Sequence, residues 1–170
     1  MGARTKPDGS GEARVSVGWL LVMVGIIALA WGNSLVPGTG SGEISGAVLE
    51  AARAALTALG LPADWLTNFI VRKTAHFTEY FCLGVSAMLA MHPYRMGDAS
   101  RSRRIARALA CALVLVCVPS VDESIQRFIS VGRTGQVRDV LLDCSGALCG
   151  SLLALAFGAR RARRRRGDAR

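Results

Sequence analysis

Two short charged runs interrupt otherwise apolar stretches of the chain, and their residue types are those of acid–base and anion-binding chemistry. The first is Arg72-Lys73-Thr74-Ala75-His76-Phe77-Thr78-Glu79-Tyr80, which opens an apolar run ending at Met91. The second, Asp122-Glu123-Ser124-Ile125-Gln126, closes a run that begins near Ile105. A histidine one helical turn from a carboxylate can hold or move a proton near neutral pH. A guanidinium or ammonium matches the charge of a phosphate. His76, Glu79, Asp122 and Glu123 are therefore candidates for acid–base work, and Arg72 and Lys73 for holding an anion. Ionisable groups beside apolar runs are costly at membrane depth, so the rival explanation is mutual ion pairing.

Other chemistries find less support. Ser124 and Thr78 are possible nucleophiles without a motif around them. His76-x-x-Glu79 alone is a weak metal motif. No phosphate loop, dinucleotide fingerprint or zinc-ligand spacing occurs, so no metal and no cofactor is expected. Tyr80 reads as a membrane-interface anchor. The five cysteines, all inside apolar segments and without a Cys-x-x-Cys, read as buried free thiols.

The elements that must position these groups are helices in a membrane. Half of the 170 residues are apolar, and Ala, Leu, Val and Gly dominate over aromatics, the palette of packed membrane helices. A mean hydropathy of +0.35 agrees. The expected fold is all-α, a polytopic bundle with four transmembrane helices at about 15–31, 69–91, 105–121 and 140–158. Ala28-Leu29-Ala30 also gives the first span the make-up of a cleavable secretory signal. Cleavage there would leave three spans. Between the first two spans, Ile44, Val48, Ala52, Ala55, Leu56 and Leu59 recur at helical spacing. They predict an outer-face amphipathic helix, capped by Ser41 or Ser45 and ended by Gly60. Residues 1–14 and 159–170 read as polar cytoplasmic tails flanking a membrane domain over 15–158.

A formal charge of +9 could indicate a nucleic-acid partner, but its distribution does not. Most Lys and Arg residues lie in the N-terminal tail, around 92–107 and in the Arg160–Arg166 run, whereas 32–68 holds only Arg53 against Glu43, Glu50 and Asp64. The positive-inside rule then puts both termini in the cytoplasm, and 32–68 and 122–138 outside. On that topology every unusual polar residue converges on the outer end of the bundle. Arg72, His76 and Glu79 share one helical arc, as do Asp122 and Gln126, and Asp139 and Asp143. Gly146-x-x-x-Gly150 below Asp143 predicts close approach of another helix. Against a site stands the charge balance, five cations (Arg72, Lys73, Arg127, Arg133, Arg138) facing five acids (Glu79, Asp122, Glu123, Asp139, Asp143), which could form a neutral structural network.

At these residues the chain resembles the VanZ-like family of bacterial membrane proteins. The match is Arg72-Lys73-x-x-His76-Phe77-x-Glu79-Tyr80, then Asp122-Glu123-x-x-Gln126-x-Phe128, then Arg133-Thr134-Gly135, then Asp139-Val140-Leu141-x-Asp143-x-x-Gly146-x-x-x-Gly150. It covers roughly Val15 to Phe157, with Ser34 and Ser45 fitting loosely. The family commonly carries Asn where this chain has Asp143. The resemblance implies a role in the cell envelope of the kind that gives teicoplanin-type glycopeptide resistance, and a functional outer cluster, but no reaction. The ligand set expected from residues and resemblance together is Arg72, Lys73, His76, Glu79, Asp122, Glu123, Gln126, Arg133, Asp139 and Asp143. The partner is an envelope lipid, glycolipid or glycopeptide. A membrane-embedded hydrolase or transferase of lipid-linked phosphate or acyl groups, and a scaffold with a purely ion-paired cluster, are the alternatives.

Overall fold

The computed structural model of the chain describes residues 15–91, 101–130 and 135–167. Among these residues there are five helices and no strand: α1 (Val17–Leu35), α2 (Gly38–Ala58), α3 (Asn68–Met91), α4 (Arg101–Phe128) and α5 (Val137–Gly167). The expected tail before residue 15, and Arg133 with Thr134, lie outside the described residues.

Contacts between helices fix their directions. The Ser16 amide donates to the Ala90 carbonyl at 2.9 Å, which puts the start of α1 beside the end of α3. The Trp31 indole donates to the Val118 carbonyl at 3.3 Å and Gln126 donates to Ser34 at 3.1 Å, so α1 and α4 run parallel. Arg107 donates to the Met91 carbonyl at 2.9 Å, which sets α4 antiparallel to α3. Gly146 faces Phe77 and Gly150 faces Phe81, so α3 and α5 run parallel. Direction thus alternates from α1 through α3 and α4 to α5.

α3 occupies the centre. Tyr80, Leu83 and Ala87 from α3 pack with Met23 and Ala30 of α1, Val118 of α4 and Ala147 of α5. The α3–α5 contact is the closest, because small residues let the backbones meet. A methyl group added at Gly84 would run into the Ala147 carbonyl, and one at Gly146 would lie 2.5 Å from the Phe77 carbonyl oxygen. Ser151 adds a buried hydrogen bond to the Gly84 carbonyl at 3.1 Å. The glycine pair of α5 therefore does what its spacing predicts.

Three helices are long and apolar enough to cross a membrane: α1, α4 and α5 over 137–158. Their outward faces carry large apolar side chains, among them Leu21, Leu29, Leu113, Val116, Leu148 and Leu152. The fourth expected span is present as helix α3, but Arg72, Lys73 and Glu79 keep it below the same apolar standard.

Several boundaries differ from expectation. α4 does not stop near Val121; it carries Pro119 inside and continues to Phe128, so Asp122, Glu123 and Gln126 are helical rather than in a loop. α5 continues through the basic segment to Gly167 instead of ending at 158. α2 starts at Gly38 after Pro37, ahead of both expected caps, and Ser45 lies inside it, donating to the Gly42 carbonyl at 3.1 Å. Its end is as expected: Gly60 adopts φ 71°, and Leu61 and Gly60 donate back to Leu56 and Thr57, a glycine-terminated helix end. The packed face of α2 is Ser45 and Leu49, with Arg53 reaching the Leu66 carbonyl at 2.7 Å. The neighbouring stripe of Ile44, Val48 and Leu59 is exposed.

Candidate functional site

The N-terminal halves of α3 and α5 and the C-terminal turns of α4 meet at one end of the bundle around a cavity of about 340 Å³. α3 contributes Asn68, Phe69, Arg72, Lys73 and His76 to its wall. α4 contributes Glu123 and Gln126, and the start of α5 contributes Asp139 and Asp143 with Gln136 just before it. These positions follow from geometry. The stripe on α3 repeats every three to four residues and so keeps one face, while the glycine contacts lower down bring α5 against it.

Each polar group has a distinct setting. The Lys73 ammonium pairs with Asp139 at 2.5 Å and lies 5.5 Å from the centre of the Phe69 ring. The Glu123 carboxylate accepts the Gln136 backbone N–H at 3.0 Å, which ties α4 to the N-terminus of α5, where negative charge is favoured by the helix dipole. Gly135 permits this approach, since a methyl group there would meet the Glu123 carbonyl and the Arg127 side chain. Below the cavity Asp122 is fully buried, with Oδ2 accepting from Gln126 at 3.2 Å. Gln126 also donates to Ser34, so α1 joins the site. Nδ1 or Nε2 of His76 and one carboxylate oxygen each of Asp122 and Asp143 lie within 4.8 Å of one another. Oδ1 of Asp122 and both carboxylate oxygens of Asp143 are buried and accept no hydrogen bond from the described residues.

Of the ten residues expected to form the site, seven line the cavity: Arg72, Lys73, His76, Glu123, Gln126, Asp139 and Asp143. Asp122 lies beneath it, in contact range of His76 and Asp143. Glu79 is half-buried one turn further along α3 and does not reach the wall. Arg133 lies outside the described residues. The balanced network of ten charges does not form among the described residues, because Lys73–Asp139 is its only ion pair. Arg127 and Arg138 are exposed, Arg127 stacking on Phe128 at 5.6 Å, and Arg72 pairs with none of the described carboxylates.

Two side-chain expectations are corrected. Tyr80 is 1% exposed and belongs to the core, not to an interface belt. The cysteines are free, but Cys82, Cys117 and Cys149 are exposed on the bundle exterior rather than buried. The reason is common to both: α3 is central, so its inward face is buried at every depth, while the outer faces of the helices stay apolar without being covered. Asn68, Phe69 and Gln136 were not expected in the site. Asn68 precedes Arg72 by one helical turn, so the α3 stripe extended backwards would have found it. Gln136 precedes Asp139 by three residues but lies before the helix, where periodicity gives no signal.

Apolar helices packed around a polar central helix, with a charged cavity at one end, define a helical membrane protein. The family model described as VanZ/LLP1 matches residues 17–158, and the chain belongs to that family. Comparison with curated proteins returned no significant match, and neither did comparison with solved structures.

Proposed function

We propose that the chain is an integral protein of the bacterial cytoplasmic membrane that binds the phosphate- or sugar-bearing headgroup of an envelope lipid at the outer face. The observation carrying this reading is Arg72, a guanidinium in the cavity wall that no described carboxylate neutralises. Such a group suits a phosphate oxygen pair. The surrounding carboxylates and amides of Glu123, Asp139, Gln126 and Asn68 offer partners for sugar hydroxyls. Phe69, 69% exposed at the rim, would face acyl chains. The volume is at the low end of about 300–1,000 Å³ for small-molecule pockets, which suits a headgroup better than a whole glycopeptide. A resistance role would then act through a lipid-linked target.

The same reading makes α3 the fourth span and puts both termini in the cytoplasm. Its support is the alternation of helix direction and the packing of α3 against α1 through Met23 and Ala30. The exposed stripe Ile44, Val48 and Leu59 of α2 would rest on the outer leaflet. An enzymatic route through a serine or threonine gains nothing from the geometry. Thr78 donates to the Thr74 carbonyl and Ser124 to the Ser120 carbonyl, each along its own helix, and neither lines the cavity.

The test is lipid mass spectrometry of protein purified in mild detergent. Wild type should retain an envelope phospholipid or glycolipid that Arg72→Ala loses by at least about tenfold, as expected for removing a charge-assisted contact. Equal retention by the two proteins at equal folding would overturn the reading.

A further inference from the structure

At the floor of the cavity, three side chains from three helices meet in a way that headgroup binding does not require. His76 of α3, Asp122 of α4 and Asp143 of α5 each present a ligand atom within 4.8 Å of the others. The two carboxyls are 0% and 1% exposed, and three of their four oxygens lack a well-formed hydrogen bond among the described residues, with the Tyr80 hydroxyl close to Asp122. Two acids facing each other out of water are stabilised by a shared proton or by a shared cation, and an imidazole beside them adds a donor that suits the cation. Lys73 is engaged with Asp139 instead. We propose that His76, Asp122 and Asp143 form a binding site for one divalent transition-metal ion of the Zn²⁺ or Mn²⁺ type.

The donor set selects that class. Imidazole suits transition ions, while carboxylates suit hard and borderline ones, so a mixed set favours Zn²⁺ or Mn²⁺ over Ca²⁺ or Mg²⁺. Metal–ligand distances near 2.0–2.2 Å put donors on one ion about 3–4 Å apart, so closure from a spacing within 4.8 Å is a shortening on the order of 1 Å. The surroundings hold the donors in place. Gln126 fixes Oδ2 of Asp122 and is itself held against Ser34, which leaves Oδ1 for the ion. Such outer partners orient metal ligands. The Phe77–Gly146 contact, one residue past His76 and three past Asp143, sets the distance between the two helices. Three protein donors leave coordination positions open, and His76 and Asp143 also line the cavity, so those positions face it. The sequence hides the site because each donor lies on a different helix, with no short spacing to announce it.

The site stands independently of which lipid, if any, the cavity takes. The test equilibrates tag-free protein in detergent with Zn²⁺ or Mn²⁺, removes free ion by gel filtration and measures bound metal. Wild type should keep about one ion per chain. The isosteric Asp143→Asn and His76→Gln variants should bind at least about 100-fold more weakly, since even loss of an outer partner costs 10–100-fold. Glu50→Gln, on the exposed face of α2, should bind as wild type does. Gel filtration and helical circular dichroism establish that each variant is folded. If one variant fails to fold, the other carries the comparison. Failure of wild type to retain either ion would overturn the proposal and make the three residues a polar clamp between helices. Equal uptake by wild type and both folded variants would overturn it too. Lipid content, measured on the same samples, reports separately on the headgroup reading.

Discussion

At the residue scale the link from Asp122 through Gln126 to Ser34 bears most on whether the site is built or accidental. All three are buried, and the two hydrogen bonds, 3.2 and 3.1 Å, connect α4 to itself and to α1. Gln126→Ala would leave a buried carboxylate oxygen and a buried hydroxyl without their partner, at a cost of about 1–3 kcal/mol. Ser34→Ala should cost about 1 kcal/mol, and the double variant less than the sum, because both changes break one network. Denaturant unfolding in detergent would measure the cycle, and strictly additive losses would show that the link is not an energetic unit. Much of this was legible. The spacing Asp122-x-x-x-Gln126 puts two polar groups on one face provided the helix continues, and it does. The Ser34 end was visible only as a loose family feature, since nothing in one sequence reports a contact across ninety residues. The charge count alone does not decide between a site and an ion-paired network: among the described residues of that set Arg127 and Arg138 are exposed and Lys73 pairs with Asp139.

At the element scale the α3–α5 seam holds the site together. Gly84 faces the Ala147 carbonyl, and Gly150 faces the Phe81 carbonyl, so neither position has room for a side chain. Gly84→Ala must separate the helices, and overpacking of this kind costs about 1–3 kcal/mol. The helix-propensity gain of about 1 kcal/mol for Gly→Ala offsets only part of that. Gly25→Ala on α1 has nothing within 4 Å of the new methyl and should be neutral or stabilising. Thermal unfolding in one detergent would compare them, and equal effects at the two positions would remove the packing argument. The Gly146–Gly150 spacing announced half of this seam. It could not name the partner helix, because a small-residue stripe specifies closeness and not identity. Apolar patterning was a poorer guide to boundaries. Hydropathy ended the third span near Val121, where the polar residues begin, whereas the backbone stays helical to Phe128 because a helix bonds within itself whatever its side chains. In α2 the helix forms, but the face packed on the bundle is Leu49 with Arg53, beside the exposed stripe of Ile44, Val48 and Leu59.

At the scale of the whole molecule, charge and helix direction can be compared as independent indicators of orientation. α1 and α4 run one way, and α3 and α5 the other, so the starts of α1 and α4 and the ends of α3 and α5 share one end of the bundle. Arg101, Arg103, Arg104, Arg107 and Arg160 belong to that end, and the cavity to the other. Under the positive-inside rule this arrangement predicts a cavity on the outer side, as the proposed function requires. α1 also supplies Met23, Ala30, Trp31 and Ser34 to the packed interior. Cleavage after Ala30 would strip Met23 and Ala30 from that core. Two measurements check the arrangement together. In a version with its native cysteines replaced, Thr57→Cys should react with a membrane-impermeant maleimide in intact cells, and Ala162→Cys only after lysis. Intact-mass analysis of the purified protein should find residues ahead of Val17 still present. Labelling of Ala162→Cys in intact cells would invert the topology and turn the cavity toward the cytoplasm. A mature chain beginning at Trp31 would strip Met23 and Ala30 from the face they cover on α3, leaving α4 as its antiparallel neighbour.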